Sequence, residues 1–179
     1  DSLKMKALIS KAQAEDKPEI ESYAQNALGT IYRNISAYDK AISAHLQAKK
    51  MAELAEDIEQ RVISLNMLGV VYRRMDLVKP ALDYHKQAID IAYAVKNPSF
   101  ELKHSIAVSQ NSMGNIYLTL KQYDLALNQF KKSIIIEKES NNRLGLAINH
   151  QNIGFVDEAQ GRLDEALKNY QKSLEYNNS

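Results

Sequence analysis

Asn26-Ala27-Leu28-Gly29-Thr30-Ile31-Tyr32-Arg33 comes back as Asn66-Met67-Leu68-Gly69-Val70-Val71-Tyr72-Arg73 and as Asn111-Ser112-Met113-Gly114-Asn115-Ile116-Tyr117-Leu118. A fourth, more altered copy is Gln151-Asn152-Ile153-Gly154-Phe155-Val156-Asp157-Glu158. The glycines are 40, 45 and 40 residues apart. Twelve residues after each stands an alanine (Ala41, Ala81, Ala126, Ala166), then a ring four further on (His45, His85, Phe130, Tyr170). Three beyond the ring is a small residue: Ala48, Ala88, Ser133 or Ser173. Leu, Gly and Tyr at i, i+1 and i+4 share one side of a helix, and Ala, ring and small residue at i, i+4 and i+7 make one stripe of the next. A helical glycine costs roughly 1 kcal/mol against alanine. Four at one slot imply a compensating gain, which close helix packing supplies. Each unit is therefore a helical hairpin, with helix A carrying the glycine and helix B the ring.

Composition narrows the possibilities further. Of 179 residues 45% are apolar and 25% charged, which is globular rather than disordered. Six glycines and three prolines are too few for a turn-rich all-β chain. With 23 basic and 22 acidic residues the net charge is +1, and the electrostatic footprint of a nucleic-acid binder is missing. No cysteine means no disulfide, thiolate nucleophile or Cys-based metal site. The apolar runs Leu68 to Tyr72 and Ile134 to Ile136 fall far short of the ~20 residues that insert into a bilayer. The chain starts at Asp1 without a basic-then-apolar leader, so it reads as a processed protein or a fragment of a larger one.

The pattern resembles the tetratricopeptide repeat, which places Leu-Gly-x-x-Tyr on its first helix and Ala-x-x-x-Phe on its second. The resemblance covers nearly the whole chain. The usual tryptophan of helix A and the proline ending helix B are absent, and 40 residues exceeds the standard ~34. The longer period is similar to an extended branch found in kinesin light chains, spindle-orientation adaptors, bacterial peptide-sensing regulators and histidine-kinase sensor regions. The resemblance implies an all-α fold, a right-handed α-α superhelix of about nine antiparallel helices. Residues 1–16 are expected to be an orphan helix B, because Met5 and Leu8 precede Gly29 as His45 and Ala48 precede Gly69. Repeats then occupy 17–56, 57–97, 98–141 and 142–179. Helices are expected near 2–15, 18–34, 38–55, 58–74, 79–95, 99–119, 123–139, 143–159 and 163–177. The five extra residues around Tyr93 to Lys103 should lengthen helices there. No linker or low-complexity segment intervenes, so the expectation is one solenoid over 1–179. A chain that begins inside a repeat and ends without a polar cap is expected to belong to a larger protein, or to self-associate through its ends.

Catalytic and metal-binding motifs are missing: no His-Glu-x-x-His, phosphate loop, calcium loop or nucleophile elbow is present. No cofactor and no enzymatic activity are expected. His45 and His85 stand in the ring slot as packed fillers, with a pH-sensing or metal role as the alternative. Tyr32, Tyr72 and Tyr117 are core residues by position, and Lys49-Lys50 and Lys131-Lys132 are solvated helix faces.

Binding candidates lie on helix A away from the packing slots. Three residues before the glycines come Asn26, Asn66, Asn111 and Gln151. The same face continues with Thr30 and Arg33, with Arg73 and Arg74, with Asn115, and with Phe155 and Glu158. The resemblance implies that helix A lines the concave wall of the superhelix, so these side chains would face a groove. An amide donates and accepts at once, which suits an extended peptide backbone. It equally suits bonding between neighbouring helices, and both readings stay open. Arg33, Arg73 and Arg74 favour a carboxylate-bearing segment in the N-terminal half of the groove. Asp157 stands where other repeats have tyrosine, a site expected to be polar or paired with Arg162. The expected function is a non-enzymatic peptide- or protein-binding scaffold. The alternatives are a sensory or regulatory region of a bacterial signalling protein and a structural self-assembly module. A soluble protein is expected, cytoplasmic or, in a sensor kinase, periplasmic.

Overall fold

Helices form wherever the 3.6-residue stripe runs, and a repeated three-residue turn ends them. The computed structural model describes residues 1–178. Its described residues form nine helices and no strand: α1 (Ser2–Ala14), α2 (Pro18–Asn34), α3 (Tyr38–Leu54), α4 (Ile58–Arg74), α5 (Val78–Tyr93), α6 (Phe100–Thr119), α7 (Tyr123–Glu139), α8 (Arg143–Ala159) and α9 (Leu163–Asn177). Their ends lie within two residues of the expected ones. The extra length between repeats 2 and 3 does not all go into helix. It divides between a 20-residue α6 and a longer break after α5, which itself ends at Tyr93. Pro98 and the Asn97 left-handed turn keep that segment out of helical geometry.

The turns have one construction. The second residue of each three-residue connection is left-handed: Asp16, Ser36, Glu56, Asp76, Lys121, Asn141 and Gly161. The N–H after it closes on a carbonyl five residues back, as in Ala37 to Tyr32 (2.8 Å) and Leu77 to Tyr72 (2.9 Å). This is the Schellman closure that satisfies the last carbonyls of a helix. Side-chain caps assist at some starts. Asp57 Oδ1 accepts from the Gln60 N–H at 3.0 Å, and Asn142 Oδ1 accepts from the Gly145 N–H at 3.2 Å.

Two compact units result, Asp1–Pro98 and the residues from Ser99 onward. In the first, α1 packs on α2, α2 on α3, α3 on α4 and α4 on α5, and α2 also touches α4. Ile9, Met5 and Leu8 of α1 meet Ala24, Leu28 and Tyr32 of α2. In the second unit α6 packs on α7, α7 on α8 and α8 on α9, with α6 also touching α8.

Inside each hairpin the glycine is a seat for the ring. A Cβ on Gly29, Gly69 or Gly114 would stand 2.5 Å from an atom of His45, His85 or Phe130, and Tyr170 blocks Gly154 in the same way. Ala41, Ala81 and Ala126 are fully buried beside these seats. In the small-residue slot Ser133 adds a tie, its Oγ donating to the Ala107 carbonyl at 2.9 Å. Among the described residues no helix is long and apolar enough to cross a membrane.

Candidate functional site

The repeated amides fall in different surroundings. Asn26 is buried: its Nδ2 donates to Gln60 Oε1 (3.1 Å) and Ser64 Oγ (3.0 Å), linking α2 to α4. Its Oδ1 lies 2.9 Å from His45 Nδ1. Because that oxygen only accepts, the imidazole proton sits on Nδ1 and Nε2 is left as an acceptor. Asn66 is likewise buried, with Oδ1 3.4 Å from His85 Nδ1. Half-buried Asn111 donates to Asn149 Oδ1 at 2.8 Å, and Asn115 donates to Asn111 Oδ1 at 3.1 Å. Gln151 alone of the four is exposed. The inter-helix role is thus occupied at Asn26 and Asn111. Asn26→Ala should cost about 2 kcal/mol in urea unfolding, because a buried imidazole N–H loses its acceptor. Gln151→Ala should stay within about 0.5 kcal/mol.

The arginines come together on the first unit. Half-buried Arg33 reaches Met67 Sδ at 3.6 Å, and its Nε is buried without a hydrogen-bond partner. Burial lowers the Arg33 and Arg73 pKa values, and the neighbouring Arg74 charge adds to the effect in both. None of the three makes an ion pair among the described residues. Thr30, beside them on α2, turns its hydroxyl to the Asn26 carbonyl at 3.1 Å. Beneath this cluster lie His45 and His85, each fully buried and held near pKa 4 by burial first and by Arg33 or Arg73 second.

The second unit presents different chemistry on its helix-A face. Phe155 is 42% exposed and meets the Tyr170 ring edge-on, with centroids 5.8 Å apart. Glu158 accepts from the Tyr170 hydroxyl. Burial and that bond push the tyrosine up to about 12. Asp157 is buried and paired, accepting from Arg162 Nη2 at 2.9 Å and from Asn169 Nδ2 at 3.0 Å. These bonds remove the penalty of a lone buried carboxylate.

Two columns of the repeat vary together. The ring of helix B and the residue four after the glycine change together: His45 with Arg33, His85 with Arg73, Phe130 with Leu118, Tyr170 with Glu158. The Arg33 and Arg73 charges act on His45 and His85, and the Tyr170 hydroxyl donates to Glu158, so in these repeats the two positions are neighbours in the folded chain. The signal lay in the sequence as two columns twelve residues apart, and only the packing shows why they are linked. Among the described residues no group of three or more His, Cys, Asp or Glu side chains could hold a metal ion.

The sequence profile of the tetratricopeptide repeat matches residues 21–94 and 105–179. Comparison with curated proteins finds no significant match. Solved structures share the fold. BtubC (BKLC) from P. vanneervenii superposes with a TM-score of 0.75 at 17% identity, over 89% of this chain and 64% of that one. The apo form of RapI gives 0.74 at 24% identity, over 87% of this chain and 56% of that one. Aspartyl phosphate phosphatase F from Bacillus subtilis gives 0.75 at 19% identity, over 94% of this chain and 43% of that one. The chain thus spans less than two thirds of each of these structures. With both halves of its sequence matched, the chain belongs to the tetratricopeptide repeat family.

Proposed function

We propose that the protein is a non-enzymatic scaffold that holds a peptide or protein segment against its helix-A faces, and that Arg33, Arg73 and Arg74 receive an acidic stretch of that segment. Tetratricopeptide repeats form a protein-binding module. The observation that carries the finer reading is the un-neutralised arginine cluster. Burial first and the Arg74 charge second depress Arg33 and Arg73, and an anion that joins the three cations relieves their repulsion. Guanidinium groups bind carboxylates in a fixed two-point geometry, and a preformed helical surface needs no ordering to present them. Glu158 and Phe155 on the second unit would take other parts of a ligand, a polar donor and an apolar side chain respectively.

The test uses a fluorescent heptapeptide rich in Asp and Glu, with its Asn/Gln counterpart as control. The acidic peptide should bind at low salt, weaken as salt rises, and lose at least about 100-fold in Arg73→Glu/Arg74→Glu. Melting of that variant should be unchanged or higher, since repulsion at Arg33 is relieved. Equal binding of the two peptides, or indifference to the double reversal, refutes the acidic-ligand reading.

A further inference from the structure

The repeat pattern is broken at one internal place that the scaffold does not need. Eleven residues after the helix-B alanine the first two repeats carry Ala52 and Ala92, both buried, and the third carries Glu137. Glu137 is only 3% exposed, and a carboxylate in that position costs stability that alanine would not. Its room comes from a second departure. The residue nine before the repeat glycine is Ile20, Gln60 or Ser105 elsewhere and Gly145 here. The Glu137 carboxylate lies against it, so a Cβ on Gly145 would stand 2.5 Å from Cδ. The two exceptions are one feature, a carboxylate admitted into the interior by a glycine.

The carboxylate is incompletely neutralised. His104 Nδ1 is 3.8 Å from Oε1, beyond hydrogen-bond distance, and Oε2 is buried without a hydrogen-bond partner. Burial raises the Glu137 pKa, against the opposing pull of the Asn142 amide and His104. Glu137 also lines a cleft of about 310 Å³ formed by α6, α7 and α8. That volume is at the lower end, ~300 Å³, of pockets that take small ligands. Its walls include Val108, Leu144 and Ile148, and the last two are substantially exposed. Asn111 and Asn149 contribute amides.

We propose that this cleft is a binding site for a cationic side chain, a lysine or arginine of a partner segment, with its alkyl stem on Val108, Leu144 and Ile148 and its charged head toward Glu137. An apolar wall leading to a buried carboxylate matches the two halves of such a side chain. An anion is repelled, and a purely apolar group leaves the carboxylate without a counter-charge. The site lies wholly in the second unit and stands independently of the arginine cluster on the first.

The experiment titrates the full ¹⁵N-labelled chain with acetyl-Ala-Ala-Lys-Ala-Ala-amide, with its arginine counterpart, and with a norleucine counterpart that keeps the stem and deletes the charge. Saturable amide shifts at Gly145, Ile148 and Asn149 are expected for lysine or arginine, with norleucine at least about tenfold weaker. Glu137→Gln should bring the cationic peptides down to the norleucine level and leave norleucine itself unchanged. Should that variant lose spectral dispersion, Ile148→Trp, a change on the exposed wall, should block all three peptides. Equal affinity for norleucine and lysine, unchanged lysine binding in Glu137→Gln, or absence of saturable shifts overturns the proposal.

Discussion

Acidification from about pH 7 to about pH 4 should cost the first unit roughly 3 kcal/mol for each of His45 and His85. Both imidazoles titrate at about 4 in the folded chain, below their ordinary 6.5, with burial the larger cause and the nearby arginine charge the second. A group whose folded pKa is lowered in this way binds its proton more tightly when unfolded. Stability from the neutral rings is therefore complete above 6.5, falls as pH drops toward 4, and loses nothing further below that. The structural reason is visible at Nε2. In both rings this nitrogen is buried without a hydrogen-bond partner, so protonation adds an N–H that has no acceptor as well as a charge beside an arginine. The two losses together rival the whole stability of a domain, typically ~5–15 kcal/mol. Urea titrations at stepped pH, followed by helical circular dichroism and by hydrogen exchange of α3 and α5 amides, measure the effect. Replacing both rings by phenylalanine, the residue at the same slot in the third repeat, should flatten the profile. It should lower the neutral-pH stability by about 1 kcal/mol through the donor lost to Asn26. A profile as steep in the double variant as in the wild type would show that other groups carry the acid sensitivity.

Gly114→Val should destabilise the second unit by about 3 kcal/mol, the upper part of the usual overpacking range. The added Cβ would meet Phe130 ring carbons at 2.5, 2.7 and 2.8 Å. Phe130 has no exposed surface, so its ring has nowhere to retreat. The gain in helix propensity, less than ~0.5 kcal/mol for valine over glycine, is too small to offset this. Gly161→Ala tests the opposite case. Nothing lies within 4 Å of its Cβ position, but its φ is +76°, and the change should cost about 1 kcal/mol through the backbone alone. Thermal melts of the two variants separate a steric role from a conformational one. If Gly114→Val melts no lower than Gly161→Ala, the ring seat is not what the repeated glycine provides.

Not every left-handed turn residue is legible in the sequence. Gly161 and the Ser140-Asn141-Asn142 cluster announce themselves, but Glu56 and Lys121 do not look like left-handed residues. They hold that conformation because the Schellman closure and the packing of flanking helices outweigh a local cost of ~1–2 kcal/mol. The helix ends were still legible, because the stripe of apolar residues stops there whatever residue follows. The length inserted near Pro98 was legible as length but not as shape, since periodicity does not say whether extra residues extend a helix or a loop.

The candidate site divides in the same way. An apolar residue before glycine and Ala-x-x-x-ring twelve residues after it, each present four times, determined by themselves that the chain is an array of helical hairpins, because the glycine and the ring answer to one contact inside each hairpin. Tertiary structure alone decided the fate of the polar residues. Asn26 and Asn111 occupy the same slot, yet one is buried against Gln60 and Ser64 of α4 and the other is half-buried against Asn149 of α8, a difference set by what the following repeat presents. Glu137 carried no motif, and it became meaningful only when Gly145 was found to make room for it. Periodicity reports which face of a helix a residue occupies. Whether a polar group on that face keeps its solvent, finds a partner or waits for one depends on side chains far away in the chain, which only packing brings near.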